Sequence, residues 1–293
     1  MRNCVGLFAA VLLFVGSLSY VTEAAEEQSA KGGLINPFFA MDTATDRKSP
    51  AKAQAEMVKE LGYAGIGCDI NLMPAMLKAA DEVGTKLFSV YVGANVDPAK
   101  TKYDPKLKDV IQSLKGRGTI IWLFITGGKP SSTESDERAV EIVREVADLA
   151  AESGLRVALY PHTGFYIQHV DDAIRLAKKA DRRNVGVTFN LCHWLRTEDE
   201  NNLEPLLKRA MPLLYLVTIN GADSGGKDWN TLIQTLDRGT FDNARLLTIL
   251  RNLGYTGPIG FQGYGLKSDA RDNLKRTIDT WQKLSARVAV AKD

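Results

Sequence analysis

The 293-residue sequence is poor in histidine and cysteine, with three of each, and neither sign of charge is in excess. Its 37 basic and 35 acidic residues give a formal net charge of +2, so the chain lacks the basic surface typical of nucleic-acid-binding proteins. Three histidines also argue against a metal-dependent nuclease, which needs a cluster of imidazole and carboxylate ligands. We therefore expect no nucleic-acid partner.

Long apolar runs are absent beyond the first 20 residues. Arg2 precedes an apolar run at Val5–Tyr20, and small residues follow at Thr22–Ala25, which is the order of a secretory signal peptide. We predict that residues 1–24 are a signal peptide, that residues 25–33 are a polar tether, and that the mature protein is periplasmic or secreted. The run is shorter than a bilayer span requires, so no membrane partner is expected after cleavage; an uncleaved anchor is the alternative.

Cysteine is too scarce to form a disulfide framework. Removal of the signal peptide leaves only Cys68 and Cys192. The mature chain is long enough to bury a core without cross-links, so we predict that both are packing residues.

From residue 34 onward, short apolar runs alternate with longer helical patterns, which is typical of βα units. The predicted strands are Leu34–Phe39, Ala64–Cys68, Lys86–Val92, Thr119–Thr126, Arg156–Tyr160, Val185–Asn190, Leu213–Asn220 and Pro258–Gln262. Eight units in about 260 residues predict an α/β fold, a single-domain (β/α)8 TIM barrel over residues 34–288. A doubly wound open sheet is the alternative, but its glycine-rich turn after the first strand is missing.

Residues along these strands alternate between an apolar row and a small or polar row. Val185, Val187 and Phe189 alternate with small or polar residues, and Phe88 and Tyr215 begin similar apolar rows. Because alternate residues of a barrel strand face the helices and the interior, we predict that the apolar rows face the helices. The polar rows would then end together at the C-terminal end of the barrel, where barrel active sites lie. The residues predicted to share a cavity there are Asp69, Tyr91, Tyr160, Asn190, Asn220 and Gln262.

Five segments carry a resemblance to a known family: LGYAGIG, ALYPH, FNLCH, TINGAD and GYTGPIGFQGYG. Over nearly all its mature length the sequence resembles the xylose isomerase-like (β/α)8 barrels, which include sugar phosphate isomerases and epimerases. The family also includes dehydratases and apurinic-site endonucleases, so the resemblance implies the fold more specifically than the reaction.

The resemblance implies a divalent metal site at strands five to eight, where metal-using members supply Glu, Asp, His and Glu. The corresponding places in this sequence are Tyr160, Asn190, Asn220 and Gln262. All four depart from the family pattern, and such neutral groups are poor ligands for a cation that prefers carboxylate or imidazole. We expect no metal or other cofactor, unless His162, His193 and Asp69 assemble a rearranged site.

Histidine is the main candidate for catalysis. His162 lies two residues after Tyr160, so it is expected to face the interior as Tyr160 does. His193 lies three residues after Asn190, where the resemblance implies a substrate-contacting histidine of epimerase relatives. We predict that both are catalytic, whereas His169 is predicted to be a surface residue. Asp69 is a third catalytic candidate, either as a base, as an acceptor for a substrate hydroxyl or as a buried partner of a barrel amide.

Other side chains are candidates for contacting a sugar, because aromatic faces and polar groups at a barrel mouth suit a pyranose. The predicted substrate contacts are Tyr91, Tyr160, Asn190, Asn220, Asp223, Gln262 and Tyr264. Trp194, Trp229, Lys129 and Lys227 are weaker candidates, for which packing or solvation is the default interpretation.

These observations predict an exported isomerase, epimerase or lyase that binds a small-molecule carbohydrate and transfers a proton next to its carbonyl. His162 or His193 would move the proton, and the amides at three strand ends would donate hydrogen bonds to the enolate oxygen. A sugar-binding barrel without turnover is the alternative. No pattern indicates an oligomeric state.

Overall fold

The computed structural model describes residues 33–290, so the predicted signal peptide and most of the predicted tether lie outside it. Eight parallel strands close into a barrel in chain order. The strands are β1 Phe38–Met41, β2 Gly65–Asp69, β3 Lys86–Asn95, β4 Ile120–Thr126, β5 Arg156–Leu159, β6 Val185–Asn190, β7 Leu214–Ile219 and β8 Ile259–Phe261. The closed order confirms the (β/α)8 barrel and excludes the open sheet.

Helices connect the strands and cover the outside of the barrel. They are α1 Ala51–Glu60, α2 Met73–Val83, α3 Leu107–Ser113, α4 Asp136–Glu152, α5 Val170–Ala180, α6 Leu191–Thr197, α7 Leu203–Ala210, α8 Trp229–Leu232, α9 Asn243–Asn252 and α10 Ala270–Val290. Gly84 ends α2 in the left-handed region at φ 71°, where glycine carries no steric penalty. No helix between residues 33 and 290 is long and apolar enough to cross a membrane.

The apolar rows of the strands pack against the helices, as their alternation predicts. Val185, Val187 and Phe189 are fully buried in this layer, and so are Cys68 and Cys192, which are unpaired packing residues as expected. A second apolar cluster fills the inside of the barrel. Its members are Phe39, Met41, Phe88, Ile120, Trp122, Ala158, Tyr160 and Leu216.

Two residues of the predicted helix-facing rows lie inside the barrel instead. The pairing of β2 with β3 shifts by one residue, so that Phe88 of β3 has no partner on β2. Its ring stacks on that of Phe39 inside the barrel, with centroids 5.0 Å apart. The pairing of β6 with β7 shifts in the same way at Tyr215, which packs against the interior cluster. An extra residue in a strand reverses the side-chain parity locally, so the prediction was wrong at these two positions.

Candidate functional site

A cavity of about 990 Å³ opens at the C-terminal ends of the strands. The predicted site residues that line it are Asp69, Tyr91, Tyr160, His162, His193, Gln262 and Tyr264. Asn190, Asn220 and Asp223 do not belong to its lining, so the predicted common cavity contains only part of the predicted set.

His162 and His193 form the centre of one wall, and we call them the imidazole pair. His162 follows β5 and His193 lies in the first turn of α6, and their ring centroids are 3.9 Å apart. The ring of Phe165 stacks on His162, with centroids 3.9 Å apart, while the edge-on ring of Tyr160 lies 5.6 Å from each imidazole. The predicted convergence of these two histidines is therefore observed.

Burial makes the imidazole pair neutral at neutral pH. It lowers the pKa of His162, although the hydrogen bond to the Thr163 carbonyl acts in the opposite direction. Burial lowers the pKa of His193 well below its usual range, and the neighbouring His162 adds to that effect. A neutral imidazole has one donor and one acceptor nitrogen, so each ring can hold or take up a proton.

Asn190 lies behind the imidazole pair and organises it. Its Nδ2 donates to Tyr160 Oη at 3.1 Å, and its Oδ1 accepts from the main-chain N–H of His193 at 3.3 Å. The Cys192 thiol donates to the same oxygen at 3.0 Å. Asn190 is thus the N-cap of α6, and its amide is already engaged by protein groups rather than exposed to a ligand.

Asn220 and Asp223 belong to the loop that follows β7. Asn220 Nδ2 donates to the carbonyls of Gly221 and Leu232, at 2.7 and 2.6 Å. Its Oδ1 is buried without a hydrogen-bond partner in the described part of the chain. Both amide hydrogens bond to main-chain carbonyls of the protein, so Asn220 cannot supply the predicted hydrogen bond to an enolate.

Neutral hydroxyl and amide groups also line the cavity. Burial raises the pKa of Tyr91 and that of Tyr160, which keeps both phenols protonated. Gln262 Oε1 accepts a hydrogen bond from Thr43 Oγ1 at 2.9 Å. Tyr264 is 62% exposed at the rim, where its ring is available to a ligand.

Asp69 lines the cavity, but both its oxygens are engaged. Oδ2 accepts from Arg47 Nη2 at 2.8 Å. Oδ1 accepts the main-chain N–H groups of Asn71 and Leu72, at 2.7 and 3.1 Å, just before α2 begins. This geometry favours a structural, ion-paired role over that of a free base.

Asp42 is a candidate that the sequence analysis missed. It follows β1 directly, lines the cavity and is 2% exposed. Its Oδ2 has no hydrogen-bond partner among residues 33–290, and the Arg47 guanidinium lies 3.7 Å away. Burial raises the pKa of Asp42 to about 6, although Arg47 opposes the shift. The rule that catalytic residues follow barrel strands could have found it.

The four positions of the family's metal site do not fit a divalent cation. Asn190 donates a hydrogen bond to Tyr160, and Asn220 donates to the main-chain carbonyl of Leu232. Gln262 accepts a hydrogen bond from the Thr43 hydroxyl. Within residues 33–290, no group of three or more His, Cys, Asp or Glu side chains is arranged to hold a metal.

Of the weaker candidates and His169, only Trp229 lines the cavity. Its ring lies 5.3 Å from that of His193. Trp194 is buried against Phe189, with ring centroids 5.5 Å apart. His169, which was predicted to be a surface residue, is half-buried at the N-cap of α5, where its main-chain N–H donates to the Asp172 side chain at 3.0 Å. Lys129 and Lys227 are not part of the cavity wall.

The chain is a (β/α)8 barrel with a cavity at the C-terminal ends of its strands. Residues 55–284 match the family described as the xylose isomerase-like TIM barrel. The chain therefore belongs to that family. No curated protein sequence matches it significantly.

Solved structures of the same fold are distant in sequence. A 3-keto-D-glucoside 4-epimerase from E. coli is 17% identical, with a TM-score of 0.68 over 85% of this chain and 99% of its own. A D-psicose 3-epimerase from Clostridium cellulolyticum, solved with D-tagatose, is 16% identical, with a TM-score of 0.62 over 86% and 96%. A xylose isomerase-like TIM barrel protein from Mycobacterium smegmatis, solved with magnesium, is 17% identical, with a TM-score of 0.64 over 87% and 98%.

Proposed function

We propose that this protein is an exported carbohydrate isomerase or epimerase that transfers a proton next to a sugar carbonyl without a divalent metal. The observation that carries the proposal is the imidazole pair, because two neutral rings in contact on a cavity wall can divide proton removal and carbonyl polarisation between them. One imidazole takes the proton bound to carbon, and the other donates a hydrogen bond to the oxygen that becomes the enolate.

Asp42 supplies the second proton-transfer group that an epimerisation needs. It follows β1, and β1 lies four strands from β5 in either direction around the barrel, so Asp42 and His162 enter the cavity from opposite walls. His162 would remove the proton from one face of the carbon, leaving the C–H electron pair in the enolate. Protonated Asp42 would return a proton to the other face, and solvent would then restore both residues. A pKa of about 6 keeps part of Asp42 protonated near neutral pH.

The size and lining of the cavity support a carbohydrate substrate. About 990 Å³ accommodates a small sugar or glycoside, and Trp122, Trp229 and Tyr264 provide aromatic surface for the C–H faces of its ring. The similarity to a 3-keto-D-glucoside epimerase and to a D-psicose epimerase suggests keto-sugars as the first compounds to test. A carbonyl already present makes the neighbouring C–H acidic enough for removal by an imidazole.

Exchange of the proton bound to carbon tests the proposal directly. The mature protein is incubated in D₂O with a methyl 3-keto-D-glucoside or with D-tagatose, and deuterium incorporation and epimer formation are followed by NMR. His162→Gln is expected to slow exchange by about 10²-fold or more, because an amide is not a base. His193→Phe is expected to cost about 10²–10³-fold, and His193→Gln less, since its amide still donates.

His169→Asn serves as the matched control, because asparagine also caps a helix and His169 lies outside the cavity wall. A double variant without His162 and His193 that still exchanges the proton would refute the proposed mechanism. A wild-type protein that binds these sugars with no exchange would instead establish the non-catalytic sugar-binding alternative.

A further inference from the structure

One residue, Thr163, contacts both members of the imidazole pair. Nδ1 of His162 lies 3.0 Å from the Thr163 carbonyl oxygen. Nδ1 of His193 lies 3.3 Å from the Thr163 main-chain nitrogen and 3.1 Å from its hydroxyl oxygen. Thr163 is not part of the cavity wall, so it acts on a ligand only through the two rings.

The two contacts require opposite protonation at Nδ1. A carbonyl oxygen can only accept a hydrogen bond, so Nδ1 of His162 must carry the proton, which leaves Nε2 as an acceptor. A main-chain N–H can only donate, so Nδ1 of His193 must be unprotonated, which places the proton on Nε2. The Thr163 hydroxyl can adapt to either state, and beside an unprotonated Nδ1 it donates.

We propose that Thr163 is a positioning residue that fixes the imidazole pair in opposite tautomers, with His162 as the proton acceptor and His193 as the hydrogen-bond donor. The catalytic meaning of this division rests on the proposed function, whereas the tautomers themselves do not. Within the described residues, Nε2 of neither ring has a protein hydrogen-bond partner, so each remains available to a substrate.

The turn that carries Thr163 is held firmly enough to impose this arrangement. The main-chain N–H of Phe165 donates to the His162 carbonyl at 3.0 Å, and the N–H of His162 donates to the Ile167 carbonyl at 2.9 Å. Tyr166 anchors the same turn through its hydroxyl, which donates to buried Asp136 at 2.7 Å. The Thr163 N–H shares a peptide group with the His162 carbonyl, so rotating that peptide to match another tautomer would break the hydrogen bond from Phe165.

Nitrogen NMR of the protein labelled with ¹⁵N-histidine reads the tautomers directly. The chain contains only three histidines, so single variants (His162→Gln, His169→Asn and His193→Gln) assign every imidazole signal. At neutral pH we expect the Nδ1–H tautomer for His162 and the Nε2–H tautomer for His193. The same tautomer on both rings, or averaging between tautomers on either ring, would overturn the inference.

Variants of Thr163 separate the hydroxyl from the main chain. Thr163→Val keeps the shape and the peptide but loses the hydroxyl donor, so the ratio of Nε2–H to Nδ1–H on His193 should fall about two- to tenfold, the equivalent of one net hydrogen bond. Thr163→Ser should restore the wild-type ratio. A valine variant with an unchanged ratio would overturn the part assigned to the hydroxyl.

The NMR result also distinguishes this inference from the proposed function. Opposite tautomers in a protein that exchanges no sugar proton would leave the role of Thr163 intact and refute the proposed activity. Identical tautomers in a protein that does exchange the proton would refute the role of Thr163 and leave the proposed activity intact.

Discussion

Replacing Asp42 with asparagine is expected to stabilise the folded protein at neutral pH while abolishing epimerisation. Asp42 is 2% exposed, its Oδ2 has no hydrogen-bond partner within residues 33–290, and burial raises its pKa from 3.8 to about 6. A raised carboxyl pKa means that folding favours the protonated form. The native state therefore loses stability as pH rises from the unfolded pKa to the folded one.

The size of the effect follows from that shift. Each pKa unit corresponds to about 1.4 kcal/mol, so a shift from 3.8 to about 6 lowers the free energy of unfolding by about 3 kcal/mol once Asp42 is fully ionised. Asparagine is neutral at every pH and does not bear this cost. The stability gained by Asp42→Asn should therefore be about 2–3 kcal/mol larger at pH 7.5 than at pH 4.

Urea unfolding of wild type and variant at both pH values measures this difference, and the comparison cancels any contribution of the substitution that does not depend on pH. The same change at exposed Asp109 controls for the loss of one negative charge. Equal gains at the two pH values would refute the account of Asp42 as a destabilised buried carboxyl. Unimpaired epimerisation by Asp42→Asn would refute its role as the second proton-transfer group.

The remaining predictions concern the polar network and the N-terminus. Asn190→Ala should lower the free energy of unfolding by about 2–4 kcal/mol, because it removes the cap of α6 and the hydrogen bond that Asn190 donates to the buried Tyr160 hydroxyl. A loss below 1 kcal/mol in urea unfolding would contradict this reasoning. The full-length chain expressed in a bacterial host should be exported and shortened to begin near residue 25. Intact mass measurement of the periplasmic fraction checks this, and an unprocessed cytoplasmic product would contradict it.

The fold could be predicted from the sequence because each βα unit carries a local signal. Apolar runs of strand length alternate with helical patterns, and most predicted strand limits agree with the structure to within two residues. Phe88 and Tyr215 could not be placed, because their orientation depends on how two strands pair. A rule of strict alternation contains no information about an extra residue in one strand.

The site could be predicted only in part, because strand ends determine where a residue lies but not which groups its side chain meets. His162, His193 and Tyr160 converge as expected. Asn220 also lies at a strand end, but its amide bonds to the carbonyl of Leu232, the last residue of α8. Whether a strand-end amide faces the cavity or bonds to a neighbouring segment depends on contacts distant in the sequence. The position of the residue on its strand is therefore not enough to predict it.

The amide at position 190 links the altered metal positions to the acid–base chemistry proposed here. The family resemblance implies an aspartate at this place in metal-using members, where a cation would balance its charge. A carboxylate at Asn190 without a cation would be an unpaired buried charge beside His193, and it would favour the imidazolium over the neutral ring. The amide carries no charge and provides a donor for the Tyr160 hydroxyl. It therefore places no charge beside the imidazole pair, whose burial keeps both rings neutral, so that one can act as a base while the other donates a hydrogen bond.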